Sequence, residues 1–226
     1  MPVVQHGPRD RKKIALTFDA DLTNAMRKRL TSGRVKSYYN AELIESLRRL
    51  RVPATLFLTG LWMEQYPDQT RDLAADPLFE LATHSYDHKA FTAKCYTLAS
   101  VAPADMLTDV RRAVTILDRL DPDATRWFRF PGGCYDGRAL HELAPAGLTA
   151  VQLDVAGADG FARSPGAIVE QVVGNAQAGS IVVLHMHGGD NAPFTGKAIE
   201  PIVRKLRAQG YQLVTVTDLM RSDRPG

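Results

Sequence analysis

The 226-residue sequence has few of the features that mark a special class of protein. It has only two cysteines, Cys95 and Cys134, which are too few for a disulfide scaffold and do not form a CxxC pair. Its formal net charge of +3 is too small to indicate a nucleic-acid-binding surface. No apolar run approaches the roughly 20 residues of a membrane-spanning helix. These absences leave an average globular composition, 45% hydrophobic and 23% charged, which is enough for one domain with a sizeable core.

Neither the ends of the sequence nor its two cysteines determine the cellular compartment of the protein. Residues 1–12 form a polar tail without the apolar centre of a signal peptide. Residues 13–226 are expected to form a single domain, because no repeat or low-complexity linker divides them. A secreted or cell-envelope location follows if a leader was trimmed. For Cys95 and Cys134 we expect two buried thiols, with one bridge as the alternative in a secreted protein.

Predicted strands alternate with predicted helices along the chain. Asn40 and Ser164 have the residue type and position of helix N-caps, and Pro165 stands at a first helical position. This order predicts an α/β fold with a distorted (β/α) barrel of about seven parallel strands. An open doubly wound sheet is the alternative, but no Gly-rich phosphate loop follows the first strand. The predicted strands cover 13–19, 54–59, 78–83, 126–130, 149–154, 180–184 and 212–216, and the predicted helices follow Asn40 and cover part of 61–75, 106–120, 138–143, the stretch after Ser164 and 197–208.

Polar residues capable of catalysis stand where most of these strands end. Because active sites of β/α barrels form at the carboxyl ends of the strands, we expect these residues to meet. Four of the six histidines are among them. The residues are Asp19, Asp21, His84, His88, Arg129, Asp154, Asp159, His185 and His187.

This set of residues favours metal-assisted hydrolysis of an amide or ester. Two imidazoles and a carboxylate are common protein ligands of a catalytic zinc, and His84 and His88 are four residues apart. A bound metal acidifies its water and polarises a carbonyl oxygen. A second carboxylate can then act as base and another imidazole as acid, while Arg129 keeps the base ionised.

The same residues resemble those of the polysaccharide deacetylase family with the NodB homology domain, carbohydrate esterase family 4. The resemblance runs in family order from Thr17 to His185 and implies a NodB-like distorted barrel, a divalent metal (most often Zn²⁺) and an acetylated glycan substrate. The matching segments are TFDAD from Thr17, HSYDH from His84, FRFPGG from Phe128, Leu153-Asp154 through Asp159, and IVVLH from Ile181.

The resemblance also implies a role for each matching residue. Asp19 is expected to be the general base, positioned by Arg129, and His185 the general acid, tuned by Asp159. His84 and His88 are expected to bind the metal. The turn of Pro131, Gly132 and Gly133 is expected to contact the substrate, with the Gly132 N–H stabilising the oxyanion.

Three positions depart from the family pattern. The metal-binding Asp of the family falls on Ala20, and Asp21 is the natural substitute. The Trp of the fourth motif falls on Gly160, with Phe161 as a candidate replacement for its hydrophobic wall. His187 is an additional imidazole, for which an acid role, a substrate contact and a structural role stay open.

Structural explanations exist for the same residues. Asp19, Asp21 and Asp154 can cap helices, turns or strand ends. His84 and His88 can be structural histidines, and Arg129 can form a surface ion pair. A basic segment after the first strand is a solvated face or a cleft wall with aromatic residues for sugar stacking. Its residues are Arg27, Lys28, Arg29, Arg34, Lys36, Tyr38 and Tyr39.

The predicted function is a metal-dependent deacetylase acting on N-acetylglucosamine units in peptidoglycan, chitin or a related glycan. A carbohydrate-binding pseudoenzyme is the second hypothesis, motivated by Ala20 and Gly160. A metal-dependent amidohydrolase or acetyl esterase with another substrate is the third. No nucleic acid and no transmembrane segment are expected, and the oligomeric state stays open.

Overall fold

A computed structural model of the chain describes residues 1–221. Its nine strands form one sheet in which every pairing between strands is parallel. The strands are β1 Val3–Val4, β2 Lys13–Ala20, β3 Ala54–Leu58, β4 Phe79–Thr83, β5 Trp127–Phe128, β6 Thr149–Val151, β7 Val155–Ala156, β8 Ile181–His185 and β9 Gln212–Val214.

Nine α-helices cover this sheet within the described residues. The helices are α1 Asn24–Thr31, α2 Ala41–Arg49, α3 Gly60–Gln65, α4 Pro67–Ala74, α5 Met106–Leu120, α6 Gly137–Glu142, α7 Pro165–Asn175, α8 Thr195–Ala208 and α9 Val216–Met220. The predicted caps are confirmed, since Asn40 accepts from Leu43 N at 3.1 Å and Ser164 from Ala167 N at 3.3 Å.

The sheet is a curled half-barrel, which confirms the predicted distorted barrel of parallel strands. Its order is β1-β6-β5-β4-β3-β2-β8-β7, and β9 pairs with the first residues of β2. The strand predicted over 149–154 ends at Val151, and a separate strand, β7, follows the predicted range, since β6 pairs with β5 while β7 pairs with β8. Residues 152–154 therefore carry the chain from one side of the sheet to the other.

Residues alternate along β2 between two environments. One set of β2 side chains belongs to the large core between the sheet and the helices, to which α2, α7 and α8 also contribute. This set is Ile14, Leu16, Phe18 and Ala20. Ala15 lies on the other side, in a smaller cluster that residues of α9 close at one end. Because successive strand side chains point to opposite faces, Asp19 shares the face of Ala15.

Several local differences from the sequence-based expectations have simple causes. The helix expected within 61–75 is two helices, because Pro67 opens α4 and has no N–H to continue α3. The segment after β2, expected as a long loop, contains α1, which buries only Met26 and so lacks an apolar stripe. Within the predicted polar tail, β1 pairs with β6. The domain boundaries themselves stay a prediction, and residues 222–226 lie outside the described residues.

No helix among the described residues is both long and apolar enough to cross a membrane.

Candidate active site

Two carboxylates and one alanine at the end of β2 determine the layout of the site. Ala20 is fully buried in the helix-facing core. Asp19 and Asp21, at 5% and 7% exposure, lie on either side of it in the sequence and line the cavity. In extended backbone, residues i and i+2 share a face, which explains why Asp21 rather than residue 20 reaches the site. Neither aspartate caps α1, whose N-cap is Thr23, so the capping alternative for them is wrong.

His84 and His88 follow β4 and face Asp21. His84 Nε2 lies 3.5 Å from Asp21 Oδ1, and His88 Nε2 lies 3.5 Å from Asp21 Oδ2. His84 Nδ1 lies 2.9 Å from the carbonyl oxygen of Arg129. Because a carbonyl only accepts, Nδ1 is the donor and Nε2 of the neutral ring keeps a free lone pair.

Burial and charge set the ionisation states around Asp21. Burial raises the pKa of Asp21, but His88, His187 and His185 outweigh it, so this pKa lies well below its usual value. Burial lowers the pKa of His88 to about 4, despite the opposing charge of Asp21. An ionised carboxylate beside a neutral imidazole is the state in which both groups bind a metal.

Arg129 is a buried partner of Asp19. Its side chain is 1% exposed, and its Nη1 donates to Asp19 Oδ1 at 2.7 Å. Nε donates to Val151 O at 3.1 Å, and the guanidinium lies 3.9 Å from the ring centre of Phe57. Burial lowers the pKa of Arg129, and the charge of Asp19 opposes this. The alternative of a surface ion pair for Arg129 is therefore wrong.

His185 and Asp159 form a pair on another wall of the site. His185 Nδ1 lies 2.8 Å from Asp159 Oδ1, and Asp159 Oδ2 accepts from the His185 backbone N–H and from Thr195 Oγ1. Burial lowers the pKa of His185, but Asp159 outweighs it and raises this pKa to about 10. Burial raises the pKa of Asp159, and His185 and Thr195 bring it below its usual value. His185 is therefore held as an imidazolium at neutral pH.

The fourth imidazole, His187, also faces Asp21. Its side chain is 3% exposed, and its Nε2 lies 3.4 Å from Asp21 Oδ2. Its Nδ1 lies 3.2 Å from the carbonyl oxygen of Gly188. Four histidines thus lie at the ends of β4 and β8, close to one carboxylate.

Pro131, Gly132 and Gly133 form a tight turn after β5. Gly132 and Gly133 have φ of +64° and +70°, which favour glycine. A Cβ on Gly132 would lie 2.6 Å from Cys95 Sγ, so this turn is packed against the segment around Cys95. Both glycines line the cavity.

Cys95 and Cys134 are joined by a disulfide, so the expectation of two buried thiols is wrong. The bond ties the segment at Cys95 to the residue that follows the Pro-Gly-Gly turn. The sequence hid this pairing because the two residues are 39 positions apart and only the fold brings their Cα atoms to 5.9 Å.

A cavity of about 530 Å³ connects these groups. Its rim carries the two most exposed large hydrophobic side chains, Tyr96 at 85% and Phe161 at 89%. Sequence reasoning identified Phe161 but missed Tyr96, because nothing in the sequence places residue 96 near the strand ends. The cavity is lined by Asp19, Asp21, His88, Tyr96, Thr97, Leu98, Arg129, Gly132, Gly133, Leu153, Ala156, Gly157, Ala158, Asp159, Gly160, Phe161, Val183, His185, His187, Asp190 and Asn191.

The other candidate residues have structural surroundings. Asp154 accepts from Ile181 N at 2.7 Å, Ser180 Oγ at 2.9 Å and Arg9 Nη2 at 2.8 Å, away from the cavity lining. Tyr38 is fully buried, and the basic residues between Arg27 and Lys36 are exposed and do not line the cavity. These basic residues form a solvated face.

The residues around Asp21 fit a divalent metal. Ligand atoms of Asp21, His84 and His88 all lie within 4.8 Å of one another. Asp21 Oδ1 is buried and has no hydrogen-bond partner among the described residues, which is costly unless a cation satisfies it. Two imidazoles and a carboxylate are a donor set typical of catalytic zinc.

Comparisons with known proteins identify the family of this chain. The family model for polysaccharide deacetylase matches residues 6–151, more than half of the chain. A peptidoglycan-N-acetylglucosamine deacetylase of Bacillus cereus is 27% identical over 219 residues, covering 95% of this chain and 91% of that protein.

Two solved structures have a similar fold. A crystal structure of a peptidoglycan N-acetylglucosamine deacetylase has a TM-score of 0.81 at 22% identity, covering 99% of this chain and 95% of that one. A pseudoenzyme of carbohydrate esterase family 4 from Bacillus anthracis has a TM-score of 0.79 at 20% identity, covering 98% and 70%.

Proposed function

The chain belongs to the polysaccharide deacetylase family, a family of hydrolases, and from this premise we propose that it removes the N-acetyl group from N-acetylglucosamine units of peptidoglycan with the help of a divalent metal. One observation carries the proposal. Asp19 and Asp21 stand on one wall of a cavity, the first bonded to Arg129 and the second facing His84 and His88. This arrangement provides a carboxylate base beside a candidate metal site.

In this proposal Asp19 is the general base. Its Oδ1 accepts the hydrogen bond from Arg129, and its Oδ2 lies 3.7 Å from His84 Nε2. The buried guanidinium favours the ionised carboxylate, which takes a proton from the attacking water. Arg129 acts through Asp19 and is a positioning residue.

Asp21, His84 and His88 would hold the metal. When bound, the metal supplies Lewis-acid polarisation of the acetyl carbonyl and a lower pKa of the attacking water. We propose Zn²⁺, because it accepts mixed nitrogen and oxygen donors in a site that leaves room for water and substrate.

His185 is the proposed general acid. Its Nδ1 is committed to Asp159, so Nε2 is the nitrogen that can protonate the leaving amine. The N–H of Gly132, in the turn that lines the cavity, is the proposed donor to the oxyanion. Acetate and the free amine of the sugar are the products.

The names of the relatives and the shape of the rim support a glycan substrate. The relative of Bacillus cereus is a peptidoglycan-N-acetylglucosamine deacetylase. Tyr96 and Phe161 expose aromatic faces at the cavity rim, and such faces stack on sugar rings. The disulfide supports a location outside the reducing cytoplasm, and we propose a secreted or cell-envelope protein.

A carbohydrate-binding pseudoenzyme is the second candidate, because a pseudoenzyme has a similar fold and because Ala20 and Gly160 depart from the family pattern. Asp21 on the face of Asp19 compensates for Ala20, which favours the enzyme. The third candidate, hydrolysis of an acetyl ester or amide in another substrate, is tested by the same acetate-release assay.

The test is release of acetate from peptidoglycan, chitooligosaccharides and acetylxylan, with metal content measured on the same sample. We expect release that a chelator stops and zinc restores, with peptidoglycan the preferred substrate. Asp19→Asn should reduce the rate by about 100-fold or more, as expected for loss of a general base. Asp154→Asn is the matched control, because Asp154 also accepts from a guanidinium, that of Arg9, outside the cavity lining. Glycan binding without acetate release at any metal concentration would support the pseudoenzyme instead.

A further inference from the structure

The role assigned to Asp21, His84 and His88 leaves His187 without a function. This residue lies two positions after the proposed acid, is almost fully buried and lines the cavity. Its Nδ1 lies 3.2 Å from the carbonyl oxygen of Gly188, which can only accept, so Nδ1 is the donor. In the neutral form of this ring the lone pair is therefore on Nε2, which faces Asp21 Oδ2 at 3.4 Å.

A carboxylate oxygen and an imidazole lone pair repel each other unless a cation lies between them. His84 has the same arrangement, since its Nδ1 donates to Arg129 O and its Nε2 faces Asp21 Oδ1 at 3.5 Å. Asp21 Oδ1 thus faces His84, whereas Oδ2 faces both His88 and His187. Two sets of candidate metal ligands therefore share the carboxylate of Asp21, one with His84 and His88 and the other with His185 and His187.

We propose that Asp21, His185 and His187 form a second divalent-metal site, which fills at higher metal concentration and inhibits the enzyme. One ligand atom from each of the three lies within 4.8 Å of the other two, as in the set with His84 and His88. The rings of His185 and His187 have centroids 5.1 Å apart, close to the 5.0 Å between His84 and His88.

The distances at Asp21 suit a small transition-metal ion. Zinc–ligand bonds of about 2.0–2.1 Å in a tetrahedral site separate neighbouring ligand atoms by roughly 3.3–3.4 Å. Asp21 Oδ2 and His187 Nε2 are 3.4 Å apart. Asp21 would serve both sites, as a bridging carboxylate does in two-metal centres.

Occupancy of the second site would remove the proposed acid. His185 Nδ1 is bonded to Asp159, so a metal ion on this ring would occupy the lone pair of Nε2, the atom that would otherwise carry the proton to the leaving amine. The second ion would bind more weakly than the first, because it shares Asp21 with the first ion and is repelled by its charge. The metal-binding part stands without the proposed function, whereas the inhibition rests on it.

The direct test is equilibrium dialysis of the folded protein against buffered zinc, followed by metal analysis. We expect two equivalents for the wild-type protein, the second binding more weakly. His187→Gln and His185→Gln should each bind one equivalent. His141→Gln, which changes an exposed histidine on α6, should keep both and controls for surface binding.

Three further measurements test where the second metal ion binds, whether each variant is folded, and whether the second ion inhibits the enzyme. With cobalt as the probe, the second equivalent should add visible absorption bands that His187→Gln lacks, and thermal unfolding should verify that each variant is folded. Acetate release by the wild-type protein, relative to its own rate at one equivalent of zinc, should fall about tenfold or more as the second binds, as expected for loss of a general acid. For His187→Gln, the rate of acetate release over the same range of zinc concentration, relative to its own rate at one equivalent, should change by less than about twofold.

A single equivalent in the wild-type protein would overturn the second site. So would a second equivalent that persists in both His187→Gln and His185→Gln, or one that disappears in His141→Gln. Two equivalents without loss of rate would overturn the inhibitory role. Absence of acetate release from every substrate would refute the proposed function alone, because the dialysis result does not depend on it.

Discussion

Asp21 Oδ1 lies 3.5 Å from His84 Nε2, although Asp21 stands one position later than the metal-binding aspartate of the family pattern. The alternation of β2 explains this. Residue 20 faces the helix-covered core, whereas residues 19 and 21 line the cavity. A motif that departs from its family by one position can therefore keep the chemistry, provided that the strand brings the displaced side chain to the same face.

The first prediction concerns this displaced aspartate. Asp21→Asn should weaken zinc binding by more than about 100-fold, because it removes the charged ligand rather than an outer partner. Adding Ala20→Asp to that variant should not restore binding. It should also lower the free energy of unfolding by roughly 3 kcal/mol or more, because it buries a carboxylate in an apolar core.

Zinc competition with a chromogenic chelator measures the affinity, and urea unfolding measures the stability. Recovery of metal binding in the double variant would mean that residue 20 can reach the site, contrary to the orientation of β2.

The second prediction concerns the pH dependence of His185. Asp159 holds the pKa of His185 at about 10, so the acid form persists through neutral pH and is lost as the pH rises through that value. Asp159→Asn removes the charge that raises this pKa. The alkaline limb of the kcat profile should then move down by one or more pH units.

The measurement is kcat for acetate release from pH 5 to 11 at constant zinc occupancy. Asp154→Asn provides the control and should keep the wild-type limb. An unchanged limb in Asp159→Asn would show that another group limits the rate at high pH.

The third prediction concerns Asp109 on α5, outside the cavity lining. Burial raises the pKa of Asp109 to about 6, even though its Oδ1 accepts from Tyr86 N at 3.0 Å. The folded-state pKa lies above the unfolded-state value, so the folded state binds more protons between them. Asp109 therefore costs stability as the pH rises towards and above 6, and it costs nothing well below pH 4.

Asp109→Asn keeps an oxygen for the Tyr86 N–H and removes this cost. It should raise the free energy of unfolding at pH 7.5 by about 1–2 kcal/mol, because partial solvation reduces the full electrostatic cost of the buried charge. At pH 4 the difference should shrink towards zero. Urea unfolding at both pH values checks this, and a larger gain at the lower pH would reverse the sign and refute it.

The fourth prediction concerns the disulfide between Cys95 and Cys134. The bond closes a loop between residues 39 positions apart, which corresponds to about 4 kcal/mol in the chain-entropy treatment. Replacing both cysteines by serine should lower the free energy of unfolding by an amount of that order. A reductant should bring the wild-type protein to the same stability and should leave the double variant unchanged.

The sequence predicted much of the fold, because the signals it relied on are local. The apolar spacing of α5 and the cap at Asn40 lie within single elements, and both are present. It did not predict α1 or β1. The first buries too few residues to produce a periodic pattern, and the second is formed by pairing with β6, far along the chain.

The sequence predicted the site residues that stand at the ends of strands. It did not predict those that reach the site through tertiary contacts between segments far apart in the chain. Asp19, Arg129 and His185 do meet at the cavity, as the barrel topology implied. Thr195, which donates to Asp159, and Tyr96 at the rim gave no signal. Their positions depend on the packing of α8 and on the disulfide-linked segment, and neither can be read from residue spacing.

The most direct test of the account is a crystal structure of the protein with one equivalent of zinc, with anomalous scattering measured at the zinc edge. We expect one peak bound by a carboxylate oxygen of Asp21 and by the Nε2 atoms of His84 and His88, with Asp19 still bonded to Arg129. A peak bound by Asp19 in place of Asp21, or a zinc ion found only outside this set of residues, would contradict it.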